Sequence, residues 1–153
     1  MALLLYTGQR RSDVIPMGWQ HIRDGAIAVR QRKTGKPLLI PIHPDLKAVL
    51  DATPRDQMSF LVTRFGQPFS PVGFTNWFKA ACRKSGLPAR ASVHGLRKAA
   101  CRRLAEAGAS ASEIAAISGH TSLREVARYT ASADQARLAR AALARVKTGT
   151  DRG

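Results

Sequence analysis

Apolar residues recur along most of this chain at helical spacing, and in one interval the period drops to two. Ala2 to Tyr6 reads as the end of an apolar helix, broken at Thr7-Gly8. Ser12 and Asp13 suit the start of a second helix running toward Trp19. Ala26 to Gln31 alternates apolar and polar residues, and Leu38 to Ile42 does so less cleanly. Lys33-Thr-Gly-Lys36 between them has turn chemistry, which predicts a β-hairpin. Asp45 to Leu50 reads as a short helix.

Further on, Ser70-Pro71 is an N-cap followed by proline in the first helical turn. The helix it opens carries Phe74, Trp77, Phe78 and Ala81 on one stripe, expected in the core, and stops near Gly86. His94 to Ala107 is another helix, closed by Gly108. Ser110-x-x-Glu113 is a capping box for a helix with Ile114 and Ile117, ended by Gly119. Ser122-x-x-Glu125 opens the next helix, with Tyr129 near its end, and Ser132-x-x-Gln135 a final amphipathic one reaching about Val146. The pattern predicts one domain, mainly α with a small antiparallel β-sheet.

Charge changes the picture more than size does. In 153 residues, 25 Lys and Arg against 10 Asp and Glu give a formal net charge of +15. The basic residues are spread along the chain, as on a folded surface that grips phosphates. Cys82 and Cys101 have no partner at metal-ligand spacing and read as buried thiols in a reducing compartment. The opening apolar run is too short for a signal sequence, and no segment approaches the ~20 apolar residues of a membrane helix. A cytoplasmic, nucleoid-associated location is the expectation, with no membrane partner.

The candidate chemistry sits in four boxes in one order: Thr7-Gly-Gln-Arg10-Arg-Ser-Asp13, the hairpin lysines, His94-Gly-Leu-Arg97, and Gly119-His120 followed by Tyr129. They supply a hydroxyl nucleophile, two arginines, two histidines, a lysine and an acid. Arginine suits phosphoryl transfer because its planar fork binds two oxygens and stays charged. His94 lies three residues before Arg97, on the same helix face. The histidines lack an H-x-x-x-H pattern and no carboxylate cluster accompanies them, so neither metal nor other cofactor is expected. His21 and His43 read as turn or surface residues, and Tyr6 as core.

Roughly from Ala2 to Val146 the chain resembles the catalytic domain of tyrosine recombinases, the phage-integrase family of site-specific DNA recombinases. The resemblance implies that Arg10 and Arg97 bind the scissile phosphate, with Arg11 the alternative one residue on. Asp13 would reach back to orient the guanidinium. Lys33, with Lys36 as the alternative in the same turn, would protonate the leaving 5′ oxygen. His94 would act as acid/base partner of the nucleophile and His120 would donate to a phosphate oxygen. Tyr129 would attack, leaving a 3′-phosphotyrosyl link and a free 5′ hydroxyl, a bond that a second strand can resolve without ATP. Double-stranded DNA is the implied partner, with a homotetramer on DNA in the full-length protein.

In that family a separate core-binding domain and further helices come first, so the chain reads as a single partial catalytic domain without them. Leu3, Leu4 and Leu5 are then expected to lack a partner face. Two other readings stand beside this one. A catalytically silent DNA-binding fragment of an integrase keeps the same residues. A helix-turn-helix regulator is echoed by Ser112-Glu-Ile-Ala115, Gly119 and Val126, but leaves the upstream boxes without a role.

Overall fold

The computed structural model describes residues 1–146. Helix α1 (Ala2–Thr7) ends at Gly8 in the left-handed conformation, and α2 (Arg11–Val14) follows with Arg10 as its N-cap. Strand β1 (Ile22–Arg23), β2 (Ala26–Arg30) and β3 (Pro37–Pro41) form one antiparallel sheet in that order. The β2–β3 register runs from Ala26↔Pro41 to Arg30↔Pro37, so the hairpin forms where the alternation predicts it. The remaining helices are α3 (Pro44–Asp51), α4 (Pro71–Lys84), α5 (Val93–Glu106), α6 (Ala111–Ser118) and α7 (Leu123–Ala144). None is long and apolar enough to cross a membrane.

Local chemistry accounts for the helix starts. Ser70, Ser92 and Ser110 each accept a hydrogen bond from a backbone N–H of the first turn, and the Glu113 carboxylate accepts one from the Ser110 backbone N–H. Such caps contribute about 1 kcal/mol each. They fix where α5 and α6 begin, and hence which residues of those helices face inward.

Two apolar clusters form the interior. The first joins α1, α2, the sheet, α3 and α4 through residues such as Leu4, Ile27, Ile40, Leu46, Phe74 and Phe78. The second joins α5, α6 and α7 through Cys101, Ala105, Ile114, Ala115 and Val126. Burying one large side chain of this kind stabilises the fold by roughly 1.5–3 kcal/mol. Leu96 and Ile117 pack on the first cluster while Cys101 and Ile114 belong to the second, so α5 and α6 straddle both.

Several expectations are corrected. Leu3 and Leu4 are buried within this chain, because α5 and α3 pack on α1 and cover them. The second helix is a single turn; Pro16 cannot continue it, and Trp19–His21 forms a separate 3-10 turn. Ser132 does not begin a new helix: α7 runs unbroken through it, since nothing from Tyr129 to Gln135 is a Gly or Pro. Tyr129 therefore lies in the second turn of a long helix. Of the aromatic stripe, Phe74 and Phe78 are buried, but Trp77 is 39% exposed and stacks loosely on Phe69 and Phe74. Tyr6 is half-buried: its ring stacks on His43 and its hydroxyl donates to Asp45 at 2.6 Å.

Candidate active site

The carboxyl end of α6 organises the site. A helix leaves its last carbonyls without internal partners and carries partial negative charge there. Here polar side chains from three other segments take them up. Gln9 Nε2 donates to the Ile117 carbonyl at 2.7 Å. Gln31 Nε2 donates to the Ser118 carbonyl at 2.9 Å, and Arg97 Nη1 to the same carbonyl at 2.8 Å. Arg97 Nη1 also donates to the Gly8 carbonyl at 2.7 Å. Gly119 is required next: its φ is +72°, and a Cβ would lie 2.3 Å from Gln31 Nε2.

Arg97 is thereby almost fully buried, with 3% of its surface exposed. Burial is the main influence lowering its pKa, followed by the charge of Arg10. Its second nitrogen, Nη2, lies 3.1 Å from His120 Nε2. A guanidinium only donates, so Nε2 is the acceptor and the neutral ring carries its proton on Nδ1. That proton faces Ser118 Oγ at 2.7 Å, and the hydroxyl donates to the Ile114 carbonyl. Burial first, then Arg97, pushes the His120 pKa from 6.5 down to about 4.

Arg10 stands at the mouth of a cleft of ≈ 400 Å³ that it shares with Arg11, His94 and Arg97. Arg10 Nη1 reaches Gln31 Oε1 at a long 3.4 Å, whereas Arg11 turns toward α4 and donates to Thr75 Oγ1. The charge of Arg10, not of Arg11, is felt at both Arg97 and His120. Of the two arginines, Arg10 is therefore the one electrostatically coupled to Arg97 and His120. His94 is exposed in the first turn of α5 and lines the same cleft. Lys33 is exposed at the tip of the β2–β3 turn, and Lys36 half-buried at its base.

Asp13 takes a different place from the one expected. Arg10 caps α2 in an extended conformation, outside the helical geometry that would bring its side chain over Asp13. Asp13 instead accepts from the Arg32 backbone N–H at 2.8 Å, tying α2 to the hairpin. Its other carboxylate oxygen is buried without a partner among the described residues.

Tyr129 does not share the cleft with Arg10 and His94. It lines a separate groove between α5 and α7 with Lys98, Arg102, Arg128 and Arg137. It is close enough to Arg97 for that charge to draw its pKa down. Burial and Cys101 outweigh this and hold the phenol above the ordinary tyrosine range. Gln9, Gln31 and Ser118 also belong to the site: Gln9 lies within the first box without a role assigned to it, and Gln31 and Ser118 lie outside the boxes. His21 and His43 cap turns, as expected. Among the described residues no group of three or more His, Cys, Asp or Glu could hold a metal ion.

This geometry has known counterparts. Residues 1–136 match the phage integrase family. The chain is 30% identical over 133 residues to the shufflon-specific DNA recombinase of Escherichia coli, covering 84% of this chain and 33% of that protein. It is also 30% identical over 97 residues to the integrase of Escherichia phage HK022, covering 57% of this chain and 27% of that protein. The chain thus spans a third or less of the length of these relatives. Among solved structures, a lambda integrase (75-356) dimer bound to a COC′ core site superposes with a TM-score of 0.72 at 28% identity, over 84% of this chain and 50% of that one. The lambda integrase catalytic core gives 0.68 at 30% identity, over 78% and 76%. The chain belongs to the phage integrase family and has the fold of a tyrosine-recombinase catalytic domain.

Proposed function

We propose that this chain cleaves and rejoins double-stranded DNA through a 3′-phosphotyrosyl link at Tyr129, without a metal. The observation that carries this reading is the cleft lined by Arg10, His94 and Arg97, with Arg97 bonded to the carboxyl end of α6 and His120 at hydrogen-bonding distance from Arg97. Two forks aimed at one phosphate neutralise the charge that develops on its non-bridging oxygens. Arg97 is held by two backbone carbonyls through Nη1, which leaves Nη2 to turn from His120 to the phosphate. His120, relieved of that neighbouring donor, then gains a proton or shifts it to Nε2 and donates to the same phosphate.

Attack forms the Tyr129 Oη–phosphorus bond and breaks the phosphorus–5′ oxygen bond. The phenolic proton passes to His94, and Lys33 supplies a proton to the leaving oxygen. Tyr129 must leave its α5–α7 groove to reach the cleft, so the first segment of α7 shifts when DNA is engaged. The basic side chains along that groove hold DNA nonspecifically. Exposed Leu138 and Leu143 on α7 offer apolar contacts for a second copy, as a homo-oligomer on DNA requires.

Trapping covalent adducts from a random-sequence library of nicked duplexes tests the reading and recovers the cleaved site. A protein–DNA adduct stable to denaturant, formed equally well in EDTA, is the expected result. DNA binding with no adduct would favour the silent DNA-binding fragment instead.

A further inference from the structure

We propose that Gln31 is a positioning residue for Lys33: it pins the β2–β3 turn to the carboxyl end of α6, in register with Arg97. This rests on the reading of Lys33 as the proton donor to the leaving oxygen. Gln31 is fully buried, while Arg32 to Gly35 immediately after it are exposed. Its amide uses every donor and acceptor it has. Nε2 donates to Gln9 Oε1 at 2.7 Å and to the Ser118 carbonyl at 2.9 Å. Oε1 accepts from Thr34 Oγ1 at 2.8 Å and, at longer range, from Arg10 Nη1. The amide cannot be reversed, because the Ser118 atom it meets is the backbone carbonyl, and Arg10 has only N–H groups.

The backbone closes the same turn. Gln31 N donates to the Lys36 carbonyl at 3.0 Å, and Gly35 N to the Gln31 carbonyl at 2.8 Å. Asp13 holds the Arg32 N–H from the other side. Lys33 has no hydrogen bond of its own among the described residues, so its place is set by what anchors the turn. The Ser118 carbonyl receives both Gln31 and Arg97, and therefore fixes the turn carrying the acid relative to the arginine that holds the phosphate. Leaving any of these buried groups unpaired is costly, so the register is sharply defined. Gly119, with no room for a Cβ beside Gln31, belongs to the same joint.

The test compares two nicked duplexes of the recovered site that differ in one atom: a 5′ bridging oxygen or a 5′ bridging sulfur at the scissile phosphate. With oxygen, the leaving group needs a proton. With sulfur, the phosphorus–sulfur bond breaks and a thiolate departs unprotonated, because a thiol is a far stronger acid than an alcohol. Lys33→Ala is the reference: it should lose ~10²-fold or more on the oxygen duplex and recover on the sulfur duplex. Gln31→Ala and the milder Thr34→Val, which removes one hydroxyl from an exposed position, should follow the same pattern, with a loss of ~10-fold or more for Gln31→Ala. Hydrogen exchange across residues 31–36 should quicken in Gln31→Ala while the core helices stay protected.

If Lys33→Ala recovers on sulfur and the two turn variants do not, Gln31 does not act through Lys33 and the proposal falls alone. If Lys33→Ala does not recover either, the proton-donor reading falls and takes the proposal with it. Should Gln31→Ala fail to fold, Thr34→Val carries the same comparison. Unchanged exchange in the turn of a folded Gln31→Ala protein overturns the anchoring itself.

Discussion

Arg97 Nη2 lies 3.1 Å from His120 Nε2, and because a guanidinium cannot accept, the ring must be neutral there. The pair is a stored arrangement: the fork that would hold a phosphate is turned toward the histidine that would help it. Two consequences follow, one for acid stability and one for chemistry.

The first concerns pH. The His120 pKa is depressed from 6.5 to about 4 by burial and by Arg97, so the unfolded chain binds the proton more tightly. The stability this contributes is complete above about 6.5 and is lost as pH falls through about 4. The melting temperature should therefore drop across that window, and His120→Asn should flatten the drop. Carboxylates titrate at its lower end too, so an NMR titration of the ring is the sharper check. A His120 midpoint near 6.5 would contradict the burial and pairing described above.

The second concerns the arginines. Arg97→Ala should reduce covalent cleavage by ~10²-fold or more, since it removes a donor aimed at developing charge. It should also destabilise the protein, because it leaves the Gly8 carbonyl and one bond to the Ser118 carbonyl unmet. Arg10→Ala should match the loss of cleavage with little change in melting temperature. Arg11→Ala should be mild, as its guanidinium is engaged with Thr75. A severe Arg11 variant beside a mild Arg10 variant would shift the first box by one residue.

The sequence was informative wherever structure is decided within a turn or two. The serine caps, the Asp45–Leu50 helix, the β2–β3 hairpin and the His94–Arg97 spacing all depend on local chemistry. The Asp24-Gly25 turn that makes β1 is also local, but a two-residue strand leaves too short a pattern to notice. What escaped was tertiary. Ser132 has the chemistry of a cap, yet α7 passes through it because no breaker intervenes. Leu3 and Leu4 looked unpartnered because α3 and α5, which cover them, lie far along the chain. Asp13 and Gln31 looked like a helix-start acid and a strand end. Their partners, the Arg32 backbone N–H for Asp13 and Gln9 and Ser118 for Gln31, are set by how the hairpin meets α6. The position of Tyr129 outside the cleft likewise depends on how α7 packs, which periodicity does not report.

A net charge of +15 makes DNA affinity a salt-dependent quantity. Log affinity should fall linearly with log salt, with a slope of about −0.9 per phosphate neutralised. Replacing Lys98, Arg102 and Arg128 together should make the slope shallower if the groove beside Tyr129 contacts the backbone. Affinity that stays flat from low to moderate salt would remove the electrostatic case for DNA as partner.

Tyr129 lies outside the cleft whose chemistry it must complete. The most direct measurement is covalent capture on a nicked duplex by the wild-type chain and by Tyr129→Phe, with binding measured in parallel. Removing the hydroxyl should abolish the adduct and leave DNA affinity and melting temperature nearly unchanged, and the wild-type adduct should map to Tyr129 by mass spectrometry. An adduct that persists in Tyr129→Phe, or that maps to Tyr6, would contradict Tyr129 as the nucleophile.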